Sequence, residues 1–86
     1  SENRGLAAYR AGDIAKAREL WQQGCDVGTP RDCYHLGIVY RDGEGVSPDN
    51  DRYLALMTGA CDGGMGNACH NLGRAQLAAI EEGTGT

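Results

Sequence analysis

The chain has 86 residues and a formal charge of −4, a length that suits one small domain and not two. The acidic balance argues against a nucleic-acid backbone as partner, since that needs a basic face, and no apolar run approaches the ~20 residues that a bilayer crossing requires. Phe is absent, aromatic mass comes only from Trp21 and four tyrosines, and valine, isoleucine and threonine are sparse. Strands are therefore poorly supported, while recurrent alanine and leucine suit closely packed helices, and the expected class is all-α. A core this small calls for cross-links or repeat stacking.

In chain order, the first helix is expected over about Glu2 to Ala11, stopped by Gly12. Asp13 caps a second helix whose Ile14, Ala17, Leu20, Trp21 and Cys25 fall on one face. Gly28-Thr29-Pro30 reads as a turn, with Thr29 at the N-cap and Pro30 opening a third helix to about Arg41. The loop Gly43-Glu44-Gly45-Val46-Ser47-Pro48 leads to Asp49, the cap of a fourth helix over about Asn50 to Asp62. Gly63-Gly64-Met65-Gly66 turns the chain again, and a fifth helix runs from Asn67 to about Glu82. The expected organisation is one domain over residues 1–82 with a flexible tail over 83–86. Ser1-Glu2-Asn3-Arg4 opens directly into helical sequence and does not read as a signal peptide, an observation compatible with export of a trimmed chain.

Shifting the chain on itself by 36 positions carries Cys25 and Cys33 onto Cys61 and Cys69, and Leu36-Gly37 onto Leu72-Gly73. A period in the middle thirties belongs to helix-pair solenoids. Gly5, Gly37 and Gly73 are expected to let neighbouring helices approach closely, at about 1 kcal/mol each in helix propensity.

Disulfide geometry restricts the pairing. Bridged Cα atoms lie within ~7 Å, whereas eight residues of one helix span ~12 Å, so each Cys-x7-Cys pair has to straddle a helix–turn–helix. Cysteines one repeat apart sit on stacked helices ~10 Å from each other. The expected bridges are Cys25–Cys33 and Cys61–Cys69, each contributing roughly 2–3 kcal/mol. A zinc site of Cys33, His35, Cys69 and His70 is the rival, but its ligand spacing does not match structural zinc. Oxidised cysteines place the chain outside the cytoplasm, periplasmic or secreted.

The stretch Leu36-Gly37-Ile38-Val39-Tyr40-Arg41-Asp42-Gly43-Glu44-Gly45-Val46-Ser47-Pro48-Asp49 resembles the Leu-Gly-x-x-Tyr-x-x-Gly-x-Gly-Val-x-x-Asp core of the Sel-one-like repeat family. That family consists of solenoid relatives of the tetratricopeptide repeat. The cysteines make the chain similar to the branch with one disulfide per repeat, typified by the Helicobacter cysteine-rich proteins. Gly5-Leu6-Ala7-Ala8-Tyr9-Arg10-Ala11-Gly12-Asp13-Ile14, with Ala17 and Trp21, resembles the start of many such arrays. Two positions depart from the pattern. Tyr53 stands where the family has a small residue, and after Leu72-Gly73 the tyrosine position holds Gln76 with no Gly-x-Gly-Val to follow. The resemblance implies a short α/α solenoid of about two and a half helix pairs, five helices in all, with the last helix a cap. Glu81, Glu82 and the Gly/Thr tail read as a finished polar end.

No nucleophile–base–acid set is evident, so no enzyme activity is expected. Asp49-Asn50-Asp51 lacks the glycine and closing glutamate of a calcium loop, the glycine-rich turns lack the Lys-Ser/Thr of a phosphate loop, and no cofactor is expected. Trp21, at helical spacing with Ile14 and Ala17, reads as core. In solenoids of this kind the first helix of each pair lines the concave side. The resemblance therefore implies a binding face of Tyr34, His35, Ile38 and Arg41 on the third helix and Asn67, His70, Asn71 and Arg74 on the fifth. An apolar centre ringed by His, Asn and Arg suits a peptide backbone and an acidic group. The expected function is recognition of another protein or peptide, as an adaptor or as an inhibitor or immunity-type partner. The alternatives are small-molecule binding or weak hydrolysis of cell-wall or β-lactam-like compounds, and a structural piece of a longer solenoid.

Overall fold

A computed structural model describes residues 4–84 and contains five helices: α1 (Arg4–Arg10), α2 (Ile14–Asp26), α3 (Pro30–Asp42), α4 (Asn50–Asp62) and α5 (Gly66–Thr84). Among the described residues there is no strand, and each helix packs on the next in the chain. The molecule measures 44 × 27 × 17 Å. No helix is long and apolar enough to cross a membrane among the described residues.

The helix starts follow local chemistry. The Asp13 carboxylate accepts from the Lys16 amide (3.1 Å), and Asp49 does the same for Arg52 (3.0 Å), satisfying amides that the first turn leaves without helical partners. Thr29 occupies the N-cap of α3, but its side chain makes no capping bond. Its carbonyl takes the amides of Asp32 and Cys33 instead, and Pro30 has no N–H to satisfy. Gly28 (φ 90°) and Gly64 (φ 96°), one repeat apart, turn the chain between α2 and α3 and between α4 and α5.

Two buried clusters share one seam. Ala17, Trp21, Leu36 and Val39 form the first, and Cys33, Tyr53, Met57, Ala60 and Ala68 the second, with Leu56 packed against both. Leu36, Val39 and Met57 are the largest fully buried side chains, each stabilising by roughly 1.5–3 kcal/mol.

Two kinds of contact alternate along the chain. Within a helix pair, a large side chain fills the space beside a glycine: Trp21 of α2 against Gly5 of α1, and Met57 of α4 against Gly37 of α3. Between pairs, a disulfide bridges the turn. Cys25 in α2 joins Cys33 in α3, and Cys61 in α4 joins Cys69 in α5, both with Cα atoms 4.6 Å apart. The expected pairing is the observed one, and with no free cysteine the zinc alternative has no thiolates to use.

The fifth helix corrects two expectations. Gly73 was expected to seat a neighbouring helix, yet nothing lies within 4 Å of where its Cβ would be. The end of the array was expected to be polar, yet Leu77 and Ile80 are 57% and 61% exposed. The cause is register: α5 spends Ala68, Leu72 and Ala75 on α4, which turns Gly73 and Leu77 away from it. The helix also continues through Gly83 and Thr84, positions expected to belong to the tail. The expected helix start at Glu2, the tail residues Gly85 and Thr86, and the Glu82 side chain lie outside the described residues.

Candidate functional site

Two cavities take in sequence-derived site residues of α3. The first, of about 260 Å³, is lined by Arg41, Asn50, Tyr53, Asn71, Arg74 and Ala75. It brings together three of the sequence-derived site residues, Arg41 from α3 and Asn71 and Arg74 from α5. Asn50 and Tyr53 of α4 were not foreseen there. Tyr53 is buried, and the Arg41 guanidinium lies 5.8 Å from its ring centroid. Arg41 also pairs with Asp42 (3.0 Å), while Arg74 makes no hydrogen bond or ion pair among the described residues. The Asn71 amide donates to the Tyr34 hydroxyl at 3.5 Å, which ties Tyr34 to the rim.

The second cavity, of about 180 Å³, lies where α1 meets α3, and its lining includes Leu6, Tyr9, Trp21, His35, Ile38 and Glu44. His35 and Ile38 thus face a different cavity from Arg41 and Arg74. Here the Tyr9 hydroxyl donates to Glu44 Oε2 at 2.7 Å, and Glu44 holds the phenol pKa above its ordinary 10.0. Gly43, in the left-handed conformation (φ 74°), ends α3 and lets the Glu44 amide reach back to the Val39 carbonyl (3.1 Å), which sets the carboxylate beside α1. His35 stacks on Trp21 with centroids 5.0 Å apart and meets Tyr34 edge-on at 5.7 Å. Burial pushes its pKa below the ordinary 6.5 against the opposing pull of Asp32, so the imidazole is neutral at pH 7. Asp32 itself is raised by burial, and its Oδ1 is buried without a hydrogen-bond partner.

The two cavities occupy equivalent places in successive repeats. His35, Ile38 and Val39, all lining the first-repeat cavity, recur 36 positions on as Asn71, Arg74 and Ala75, all lining the second. The repeat has kept the hollow and reversed its charge. Of the other sequence-derived residues, Asn67 and His70 are exposed and line neither cavity.

Three larger depressions lie elsewhere. One, of about 380 Å³, is framed by the turns at Thr29 and Gly63, a second, of about 390 Å³, includes Ala15, Arg18, Glu19 and Tyr40, and a third, of about 290 Å³, includes Arg4, Gly5, Trp21 and Asp32. The first two gather no buried aromatic side chain, and the third sets Trp21 beside Asp32 but takes in none of the sequence-derived site residues, so register and chemistry, not size, select the candidate site. Among the described residues no group of three or more His, Cys, Asp or Glu side chains could hold a metal ion. No serine, threonine or cysteine lines either α3 cavity, and in the second the Tyr9 hydroxyl contacts the Glu44 carboxylate.

No family model matches the chain. It is 36% identical over 45 residues to the Helicobacter pylori (strain J99) protein named "Putative beta-lactamase HcpE", a match covering 52% of this chain and 13% of the relative. It is 31% identical over 42 residues to "Putative beta-lactamase HcpC" of Helicobacter pylori (strain 26695), covering 49% of this chain and 14% of that protein. The chain spans about an eighth of the length of the curated relatives it matches. These partial similarities and the two disulfides link it to cysteine-rich helical repeat proteins.

Proposed function

We propose that this chain is a Sel-one-like, peptide- or protein-recognising module of an oxidising compartment, periplasmic or secreted. The observation that carries the reading is the convergence of Arg41 and Arg74 on one cavity floored by the buried Tyr53 and edged by two asparagines. Guanidinium groups in such a setting suit a carboxylate, and asparagine amides suit the backbone of an extended segment. The two disulfides support the compartment, since bridges of this kind persist where thiols are not kept reduced. A peptide array comparing acidic and free-carboxylate sequences with their amidated counterparts tests the reading. Acidic ligands should bind, and Arg74→Ala should weaken them; indifference to both changes would remove it.

A second reading, a segment of a longer solenoid, draws on the open space beside Gly73. In the preceding pairs the corresponding space is filled by the following helix. The relatives' printed names raise β-lactam hydrolysis, but the lining of the two cavities offers no serine or cysteine nucleophile to support it.

A further inference from the structure

We propose that the cavity between α1 and α3 receives a lysine side chain, and so forms an alkylammonium subsite beside the anion-binding cavity. The proposal deepens the recognition reading, and its argument rests on the lining of this cavity and on comparison with its repeat equivalent.

The walls match an amphipathic stem. Leu6 and Ile38 provide aliphatic surface, and Tyr9, Trp21 and His35 provide ring surface, with Tyr9 and Trp21 centroids 5.9 Å apart. A lysine buries its methylene chain against such groups while its ammonium seeks a carboxylate and a π-face. Glu44 is the one formally charged residue of the lining, because His35 is neutral at pH 7. Its carboxylate is held in place by the Tyr9 hydroxyl, which uses one acceptor position and leaves others open. That bond also consumes the phenolic donor, and the Trp21 indole nitrogen lies against Gly5. Apart from the single N–H of the neutral His35 imidazole, the cavity therefore offers acceptors and π-faces, the complement of a cation. A neutral chain of equal length would fit the walls but would cover the carboxylate without pairing it, a desolvation cost that separates the two ligands.

Equivalence of the two cavities gives independent support. The second-repeat hollow carries two arginines where this one carries Tyr9, Ile38 and a carboxylate, so the chain presents a negative and a positive receptor one repeat apart.

The test uses the whole chain and three small probes: Nα-acetyl-lysine methylamide, its norleucine analogue and its arginine analogue. Fluorescence of Trp21, the sole tryptophan, and the NMR resonances of the His35 ring report binding. The lysine probe should perturb both saturably, with the norleucine probe at least about tenfold weaker. Glu44→Gln retains an acceptor for Tyr9 while removing the charge, and should weaken the lysine probe at least about fivefold with the unfolding midpoint unchanged. Equal binding of lysine and norleucine overturns the proposal without any variant, and so does an unaltered affinity in Glu44→Gln. Tighter binding of the arginine probe would replace the alkylammonium assignment with a guanidinium one, and no perturbation by any probe would remove the subsite. Acidic-peptide binding that depends on Arg74 would survive each of these failures. Lysine binding with no acidic-peptide binding would sink the anion-binding reading alone.

Discussion

Gly5 and Trp21 occupy adjoining space so tightly that a Cβ on Gly5 would enter the indole ring. The same substitution at Gly73 meets open space, although both glycines lie in helices. Gly5→Ala should therefore destabilise by about 1–3 kcal/mol through overpacking against a rigid ring. Gly73→Ala should stabilise by about 0.5–1 kcal/mol through helix propensity alone. Urea titrations of the two variants give the comparison, and opposite signs are expected.

The two bridges are expected to contribute separately. Cys25→Ser/Cys33→Ser and Cys61→Ser/Cys69→Ser should each lower stability by roughly 2–3 kcal/mol. Non-reducing peptide mapping of the unmodified chain should recover both links, and free thiols on the folded protein would contradict them.

How far the sequence disclosed the structure depended on the kind of contact involved. The bridges, the turns and α4 (Asn50–Asp62) were legible because cysteine spacing, glycine and capping aspartates act locally. That Arg41, Asn71 and Arg74 share a side was legible because helical spacing sets Arg41 beside Ile38 and the repeat shift carries His35 and Ile38 onto Asn71 and Arg74. The Tyr9–Glu44 contact was not. The loop between α3 and α4 is longer than the turn between α1 and α2, so α1 aligns with α3 at 32 positions, from Gly5 to Gly37, and a search at 36 misses it. Tyr53 was visible only as a departure from the family pattern. It replaces the buried Ala17 of the preceding repeat, and its added bulk floors the cationic cavity.

Stability should fall with acid in a window set by His35. Its folded pKa lies below the ordinary 6.5, so the unfolded chain binds the proton more tightly. The stabilisation present above pH ~6.5 is then lost as pH falls through the folded value. The raised carboxyl of Asp32 has the opposite sense: ionising it costs stability as pH rises above its ordinary 3.8. Denaturant midpoints from pH 7.5 to 5.5 should decline for the unmodified chain and flatten in His35→Gln.

Recognition should be one-sided. Arg74→Ala and Tyr34→Ala are expected to weaken an acidic peptide by about 1–2 kcal/mol without unfolding the chain. Glu19→Ala, removing an exposed α2 carboxylate paired with Lys16 at 3.2 Å, should change affinity by less than about 0.5 kcal/mol. Titration calorimetry of the three variants decides it, and sensitivity at Glu19 with indifference at Arg74 would move the partner to the opposite surface.

Turnover of a chromogenic β-lactam should match buffer alone, in keeping with two cavities that no serine, threonine or cysteine lines. Saturable hydrolysis abolished by His35→Gln would overturn that expectation.

The alternation of filled glycine spaces and covalent bridges also determines how the chain yields under tension. Each bridge joins residues eight apart in sequence with Cα atoms 4.6 Å apart, withholding roughly 20–25 Å of extensible contour. Pulled from its ends, the oxidised chain can part only within its helix pairs, where Trp21 and Met57 leave their seats, while the turns between pairs stay shut. Reductant would release those two hidden lengths. A redox change in the surroundings would thereby be converted into slack, at the two places where one repeat hands the chain to the next.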